Sequence, residues 1–161
     1  MSIDSGTKYR DWVSGYIYEN FSGRGIKIYQ EVSVGKSIIG KKRTVDILVL
    51  NEAQNVAVAL ECKLQNVTGT ADEKIPYALN DAQSMQMDKY VVYGGDGFSK
   101  GVKHMLEAHE LACYAKPRNM QEADFRRTAD TRELDHILAM KFNWWDIVVF
   151  NKSEFTGSSS L

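Results

Sequence analysis

The sequence predicts an α/β protein, an α/β/α sandwich built around one central mixed β-sheet. Segments with helical periodicity alternate with short strand-like apolar runs along the chain, which is the order of elements in α/β folds. Two of these runs, VDILVL and VAVALEC, are almost continuously apolar, as in strands that helices cover on both faces. The 161 residues, 43% of them hydrophobic, can bury one core. We therefore expect a single domain over residues 1–150 and a flexible tail over 151–161.

The individual elements follow from periodicity and from turn residues. Between Lys8 and Phe21 the apolar residues recur every three or four positions, which predicts an amphipathic helix. Pro76 favours the first turn of a later helix, where a backbone N–H has no helical partner to lose. The further predicted elements, in order, are strands at 26–34, 43–50 and 56–63, a helix at about 75–87, a strand in KYVVYGG, a helix at 100–110, a strand at 111–115 and a helix at about 130–142.

Composition excludes several classes of protein. The chain is 25% charged with few glycines and prolines, which argues against disorder and against a collagen-like class. Its first residues lack the apolar core of a signal peptide, and no apolar run reaches the ~18 residues of a membrane span. Cys62 and Cys113 lie within apolar runs, so we expect both thiols to be reduced and structural. These features predict a cytoplasmic protein with no membrane partner.

Three ionisable residues fall where burial is expected. Asp46 lies inside the apolar strand TVDILVL, and Glu61 and Lys63 lie at the end of the apolar strand VAVALECK. Burying a charge costs free energy unless a partner or a metal compensates it, so this placement indicates a functional site. Side chains alternate along a strand, so Glu61 and Lys63 share a face and Cys62 points to the other side. If the two strands are neighbours, Asp46 can meet this pair.

The chemistry of these side chains favours a hard divalent cation. Two carboxylates at close range repel each other unless a cation lies between them, and oxygen ligands select magnesium or manganese over zinc. A bound cation would polarise a phosphate oxygen and activate a water, and a lysine ammonium would offset the charge that develops on the phosphorane. The set suits hydrolysis of a phosphodiester. An exposed group of salt-bridged residues on a hairpin is the alternative interpretation of the same motif.

The spacing D-x14-E-C-K, with the acid inside one strand and E-x-K at the end of the next, resembles the PD-(D/E)XK nuclease superfamily. Val45 stands where the name of that family has proline. The resemblance implies a restriction-endonuclease-like fold. It also implies that Asp46 and Glu61 ligate Mg²⁺, for which Mn²⁺ could substitute, with the Cys62 carbonyl as a further ligand and Lys63 as the catalytic lysine.

The first helix offers a fourth candidate for the active site. Members of the family often add an acid from this helix. Glu19 follows Trp12 by seven positions and Tyr16 by three, which places it on or beside the apolar face. We expect Glu19 to join the catalytic residues, with a solvated glutamate on the helix flank as the alternative.

Positive charge is concentrated in a chain whose net charge is only −1. The basic connection GKSIIGKKR could embrace a DNA backbone or could be a solvated turn. Polar side chains after Lys63 could reach a phosphate or a base edge, or could form a solvated loop that caps a helix. The residues predicted to contact DNA are Lys36, Lys41, Lys42, Arg43, Gln65, Asn66, Thr68 and Lys74.

The function that these expectations favour is an endonuclease acting on double-stranded DNA, of the restriction or homing type. Cutting both strands needs two active sites, so we expect a homodimer or a higher symmetric oligomer. Two alternatives remain open from the sequence. A junction resolvase would use the same residues on branched DNA, and a non-catalytic DNA-binding module could keep the fold without the activity.

Overall fold

The computed structural model describes residues 1–36, 40, 42–66, 71–85 and 87–157. Its helices and strands follow the order in which the sequence predicts them. The elements are α1 (Gly6–Phe21), β1 (Lys27–Lys36), β2 (Lys42–Asn51), β3 (Val56–Leu64), α2 (Ala71–Ser84), β4 (Asp88–Gly94), α3 (Lys100–Ala108), β5 (Ala112–Tyr114), α4 (Arg132–Phe142) and α5 (Trp145–Val148).

The strands of the described chain form one mixed sheet in the order β1-β2-β3-β4-β5. Strands β1, β2 and β3 run antiparallel, whereas β3, β4 and β5 run parallel to one another. A parallel connection must cross over the sheet, and helices α2 and α3 provide these crossovers. The predicted α/β fold around a central mixed sheet is confirmed.

Helices cover the sheet on both faces. On one face α1 and α4 bury a large core in which Trp12 and Phe142 pack near strand residues such as Leu60. On the other face α2 and α3 form a second cluster around Ile75 and Val91. This two-sided burial explains why the runs VDILVL and VAVALEC are apolar throughout. It also makes any charged group within β2 or β3 an exception that requires an explanation.

Helix α2 begins four residues before the predicted position, at Ala71. Contacts distant in sequence fix this start, because Gln65 Oε1 accepts a hydrogen bond of 2.7 Å from the Ala71 N–H. Asp72 in the first turn accepts a bond of 3.1 Å from the Ser99 N–H. Pro76 therefore lies inside the helix instead of in its first turn, at the cost of one helical hydrogen bond.

Within the described ranges, none of the helices is long and apolar enough to cross a membrane. Cys62 and Cys113 are both free and buried. The structure therefore agrees with the expectation that both thiols pack as small apolar side chains.

Candidate active site

Strands β2 and β3 are neighbours, as the meeting of Asp46 with the E-x-K motif requires. The antiparallel ladder ends at the pair Ile47–Leu60, and Asp46 and Glu61 are the next residues opposite each other on the two strands. Asp46 Oδ2 accepts a hydrogen bond of 2.7 Å from the Cys62 N–H. The Lys63 ammonium donates one of 3.1 Å to Glu61 Oε1. The structure thus brings the three residues of the motif to one place.

Strand alternation separates the polar side chains of β3 from its apolar ones. Leu60 and Cys62 are buried in the core beneath α1 and α4. Glu61 and Lys63 are only partly buried, with 18% and 20% of their side chains exposed. The end of β3 therefore holds a carboxylate and an ammonium that solvent and substrate can reach.

The electrostatics of Asp46 fit a cation. Burial, together with the negative charge of Glu61, raises the pKa of Asp46 above its ordinary value. The Cys62 N–H and the positive charges of Lys63 and Arg10 oppose this shift only in part. A divalent cation between Asp46 and Glu61 would offset the repulsion that raises the pKa of Asp46.

The donor set is small but sufficient for magnesium. Among the residues that the structure describes, no three His, Cys, Asp or Glu side chains converge as a ready-made metal cluster. Mg²⁺ is usually held by one or two carboxylates and completes its shell with waters and substrate phosphate oxygens. Asp46 and Glu61 supply those two carboxylates, and strand carbonyls such as that of Cys62 are further oxygen donors. The residues present therefore fit the ion.

Behind Glu61 lies a chain of charges that the sequence analysis missed. Lys89, at the start of β4, places its ammonium 3.7 Å from Glu61 Oε2 and 2.8 Å from Asp81 Oδ2. Asp81, from α2, also accepts a bond of 2.7 Å from Arg43. Lys89 is a charged residue directly before the apolar run YVVYG, and this was the available signal in the sequence.

Two cavities meet at the motif. One, of about 420 Å³, lies between the start of α1, the end of β3 and the start of α2. The other, of about 260 Å³, lies beside β2, α2 and Lys89. Lys63 and Lys74 line both cavities, so the two form one groove along the end of β3. We call this the active-site groove.

Cations outnumber anions in the second cavity of the active-site groove. The negative side chains that line it are Glu61 and Asp81. The positive ones are Lys42, Arg43, Lys63, Lys74 and Lys89. A chain with a net charge near zero thus concentrates positive charge beside the motif, where a phosphate backbone would be attracted.

The residues predicted to contact DNA occupy different environments. Lys36 and Lys42 are exposed and face each other where β1 and β2 meet their connection. Lys74 and Asn66 are exposed in the active-site groove. Lys41 and Thr68 lie outside the described residues.

Two of the predicted DNA contacts need correction. Gln65 is only 4% exposed. Its side-chain Nε2 donates hydrogen bonds to Asp72 and to the Gly97 carbonyl, and its Oε1 accepts one from the Ala71 N–H at the start of α2. Its side chain therefore holds loops together inside the protein. Arg43 is committed to Asp81, and its Nε is buried without a partner among the described residues. Both departures arise because the start of β2 and the end of β3 contact α2, which the sequence analysis did not foresee.

The structure does not bring Glu19 to the motif. It is exposed near the end of α1, nine residues or about 14 Å of helix beyond Arg10. The start of α1, residues 4–6, lines the active-site groove instead. Arg10 is the α1 residue whose charge acts on Asp46, and it also binds Glu31 at 2.7 Å and Asp11 at 3.0 Å. Helical periodicity identified the face of α1 but not which end of it meets the site.

Some solved structures resemble the chain weakly. A repair endonuclease from Pyrococcus abyssi has 17% identity and a TM-score of 0.36 over 66% of this chain and 45% of its own. EndoMS in complex with double-stranded DNA has 18% identity and a TM-score of 0.36 over 66% and 43%. A protein of unknown function has 11% identity and a TM-score of 0.39 over 61% and 53%. The chain spans about half the length of these proteins.

A family model gives the stronger evidence. No curated protein matches the chain in sequence. The model described as the PD-(D/E)XK nuclease superfamily domain, however, matches residues 5–145, a span that runs from the start of α1 to the start of α5 and includes the D-x14-E-x-K motif. The chain belongs to the PD-(D/E)XK nuclease superfamily.

Proposed function

We propose that the protein is a metal-dependent endonuclease that hydrolyses phosphodiester bonds in double-stranded DNA, of the restriction or homing type. The observation that carries the proposal is that Asp46, Glu61 and Lys63 meet beside an open groove whose second cavity is lined mainly by cations. A carboxylate pair suits a metal, and the surrounding cations suit a polyanion. Asp46 and Glu61 are the proposed metal ligands, with the Cys62 carbonyl as a further one.

Each residue of the motif has a distinct proposed task. The Cys62 N–H fixes Asp46 through Oδ2, which leaves Oδ1 available as a ligand. The Lys63 ammonium, hydrogen-bonded to Glu61, can also orient the attacking water and offset the negative charge of the phosphorane. When bound, Mg²⁺ or Mn²⁺ would polarise a phosphate oxygen and lower the pKa of a coordinated water. The exposed cations Lys42 and Lys74 hold the phosphate backbone in the groove.

Cutting both strands of a duplex requires two active sites. We therefore propose that the protein acts as a homodimer or a higher symmetric oligomer, each copy attacking one strand.

Supercoiled plasmid incubated with the protein and Mg²⁺ tests the proposal. The parent chain should convert it to open-circular and linear forms, and a chelator should stop the reaction. Asp46→Asn and Lys63→Met should lower the rate about 100-fold or more, because each removes a ligand or a charge that acts on the transition state. Lys100→Met, at an exposed position on α3, is the matched control and should cut normally. Equal cutting by all four proteins would refute the assignment.

The products also report on specificity. Genomic DNA cut into discrete fragments would support a restriction or homing enzyme, and a smear would indicate a nonspecific nuclease. Intact duplex together with a cleaved four-way junction would replace the proposed substrate by branched DNA. Binding of duplex without cleavage of any substrate would refute the catalytic proposal.

A further inference from the structure

Lys89 is a buried cation directly beside a proposed metal ligand. Only 4% of its side chain is exposed. It is aligned with Ala59 in the parallel β3–β4 ladder, and side chains aligned in a ladder share a face of the sheet, which for Ala59 is also the face of Glu61. Its ammonium therefore extends along the sheet to within 3.7 Å of Glu61 Oε2. At that distance the contact is an ion pair without a direct hydrogen bond.

Asp81 fixes the position of the Lys89 ammonium on the side away from Glu61. Asp81 Oδ2 accepts its hydrogen bond at 2.8 Å, and Asp81 Oδ1 accepts one from Arg43 at 2.7 Å. Asp81 and Arg43 are themselves 7% and 11% exposed. An ammonium buried this deeply costs free energy unless an anion compensates it, and Asp81 is that anion. Burial opposes the ionisation of Asp81, but the bond and charge of Lys89 with the charge of Arg43 outweigh it and lower its pKa.

The two oxygens of Glu61 thus face different cations. Lys63 bonds Oε1 from the open side of the active-site groove, and Lys89 attracts Oε2 from the buried side. Lys63 is the partly exposed member, whose charge can turn to a substrate. Lys89 cannot reach a substrate without leaving Asp81. Glu61 is the residue of the motif that its ammonium contacts.

We propose that Lys89 is a positioning residue, a buried cation anchored by Asp81 that holds the Glu61 carboxylate in the orientation in which it ligates the metal. The inference rests on the proposed function, because it assigns a role toward a metal that Asp46 and Glu61 would share. Without Lys89, Lys63 is the one cation among the described residues that still pairs with Glu61, and Glu61 can turn toward solvent. A water would then replace Glu61 as a ligand of the bound metal.

Terbium luminescence measures this directly in the full chain. Tb³⁺ takes hard oxygen ligands, and its luminescence lifetimes in H₂O and D₂O give the number of coordinated waters. Lys89→Met, which keeps the length of the side chain and the Arg43–Asp81 pair, should raise that number by about one. The single-turnover rate of duplex cleavage with Mg²⁺ should fall about 10- to 100-fold, as for other groups that support a metal ligand. Binding of duplex without metal should change far less than the rate, because Lys89, although it lines the second cavity, is only 4% exposed and its ammonium is hydrogen-bonded to Asp81.

Lys100→Met controls for the loss of one lysine charge and should leave the water number and the rate unchanged. If Lys89→Met does not fold, the double variant Lys89→Met/Asp81→Asn removes both members of the buried pair. The number of waters coordinated to Tb³⁺ should still be higher in this double variant than in the parent chain. A double variant that folds with the parent's water number and rate would mean that Lys89 serves only Asp81, which would overturn the inference.

The same data separate this inference from the proposed function. A parent chain that binds no Tb³⁺ would overturn both. A parent chain that binds Tb³⁺ in an Asp46-dependent way, with an unchanged water number in Lys89→Met, would overturn only the role of Lys89.

Discussion

Asp46 is the residue at which stability and function conflict. Its carboxylate lies in a strand of the core sheet, opposite another carboxylate, and its pKa is raised chiefly by burial. The raised pKa means that the folded state holds the proton more tightly than the unfolded chain does. Without metal, ionised Asp46 therefore destabilises the fold, and stability is lost as the pH rises through the raised pKa.

Asp46→Asn should consequently raise the melting temperature of the metal-free protein at pH 7. The amide oxygen of asparagine can still accept the Cys62 N–H, so the local geometry is kept. The gain should disappear at acid pH, where the parent's Asp46 is already protonated. The variant should also lose the stabilisation that Mn²⁺ gives the parent. Thermal unfolding at several pH values, with and without Mn²⁺, measures both effects, and a lower melting temperature for the variant at pH 7 would contradict this account.

The pKa shift of Asp81 has the opposite sign to that of Asp46. The pKa of Asp81 is lowered in the fold: burial acts against the shift, and the bonds and charges of Lys89 and Arg43 prevail. Its stabilisation is therefore present above the unfolded pKa and is lost as the pH falls through the folded one. Asp81→Asn should destabilise the protein by about 3 kcal/mol at pH 7, because two buried cations lose their anion. Urea unfolding should show this difference shrinking below about pH 4, and a pH-independent difference would argue against it.

At the scale of elements, the site depends on where strands end. β2 and β3 each carry an apolar run that identifies them in the sequence, and alternation places Glu61 and Lys63 on one face. That Asp46 lies opposite Glu61 depends on register, which periodicity does not fix. The structure shows the register of β2 and β3, in which Ile47 pairs with Leu60.

What the sequence could not predict follows from contacts between distant elements. The sequence does not show the role of Lys89, because its partners Glu61 and Asp81 are 28 and 8 positions away. The sequence predicts an exposed polar loop residue at Gln65, whereas its side chain is buried between two loops. Glu19 fits the helical periodicity of α1, but it lies near the end of the helix that is distant from the motif. Local patterns identified the elements and the motif, and tertiary packing determined which other side chains reach it.

The turn after β4 supports the end of β3. Gly95 has a φ of +98°, and a Cβ placed there would lie 2.3 Å from the Gln65 carbonyl oxygen, two residues after Lys63. That oxygen also accepts a hydrogen bond of 2.7 Å from the Gly97 N–H. A side chain at position 95 must therefore displace the backbone that follows Lys63, the proposed catalytic lysine.

Gly95→Ala should destabilise the protein by about 2 kcal/mol or more, since backbone strain adds to the clash. It should also slow cleavage. The matched control is Gly101→Ala on α3, where a Cβ meets no atom within 4 Å and alanine favours the helix. The control should be more stable by about 0.5–1 kcal/mol. Urea unfolding compares the two, and an unaffected Gly95→Ala protein would show that the turn does not support the site.

At the scale of the whole molecule, charge is distributed so that a nearly neutral protein presents a basic groove. The net charge is −1, yet cations predominate around the motif. Acidic side chains elsewhere balance them, including Glu107 and Glu133 around a separate cavity beside α3. DNA binding should therefore depend on the groove, with little contribution from the net charge.

The salt dependence of duplex binding by a Lys74 variant tests whether the active-site groove binds the DNA. The exposed ammonium of Lys74 lines both cavities of the active-site groove. Lys74→Ala should weaken binding and lower the slope of log K against log salt by about one, as expected for one lost phosphate contact. Fluorescence anisotropy with Ca²⁺ in place of Mg²⁺ gives the slope. Lys100→Ala should leave it unchanged, and equal slopes for both variants would place the DNA elsewhere.

The central claim is that Asp46, Glu61 and Lys63 form one metal-dependent catalytic site. The most direct measurement is the single-turnover rate of cleavage of a labelled duplex, titrated with Mg²⁺, for the parent chain and for Glu61→Gln. We predict a rate that rises with Mg²⁺ and saturates in the parent, and a rate at least about 100-fold lower in Glu61→Gln at every Mg²⁺ concentration. A parent rate that does not depend on Mg²⁺, or a Glu61→Gln protein that cuts like the parent, would contradict the account.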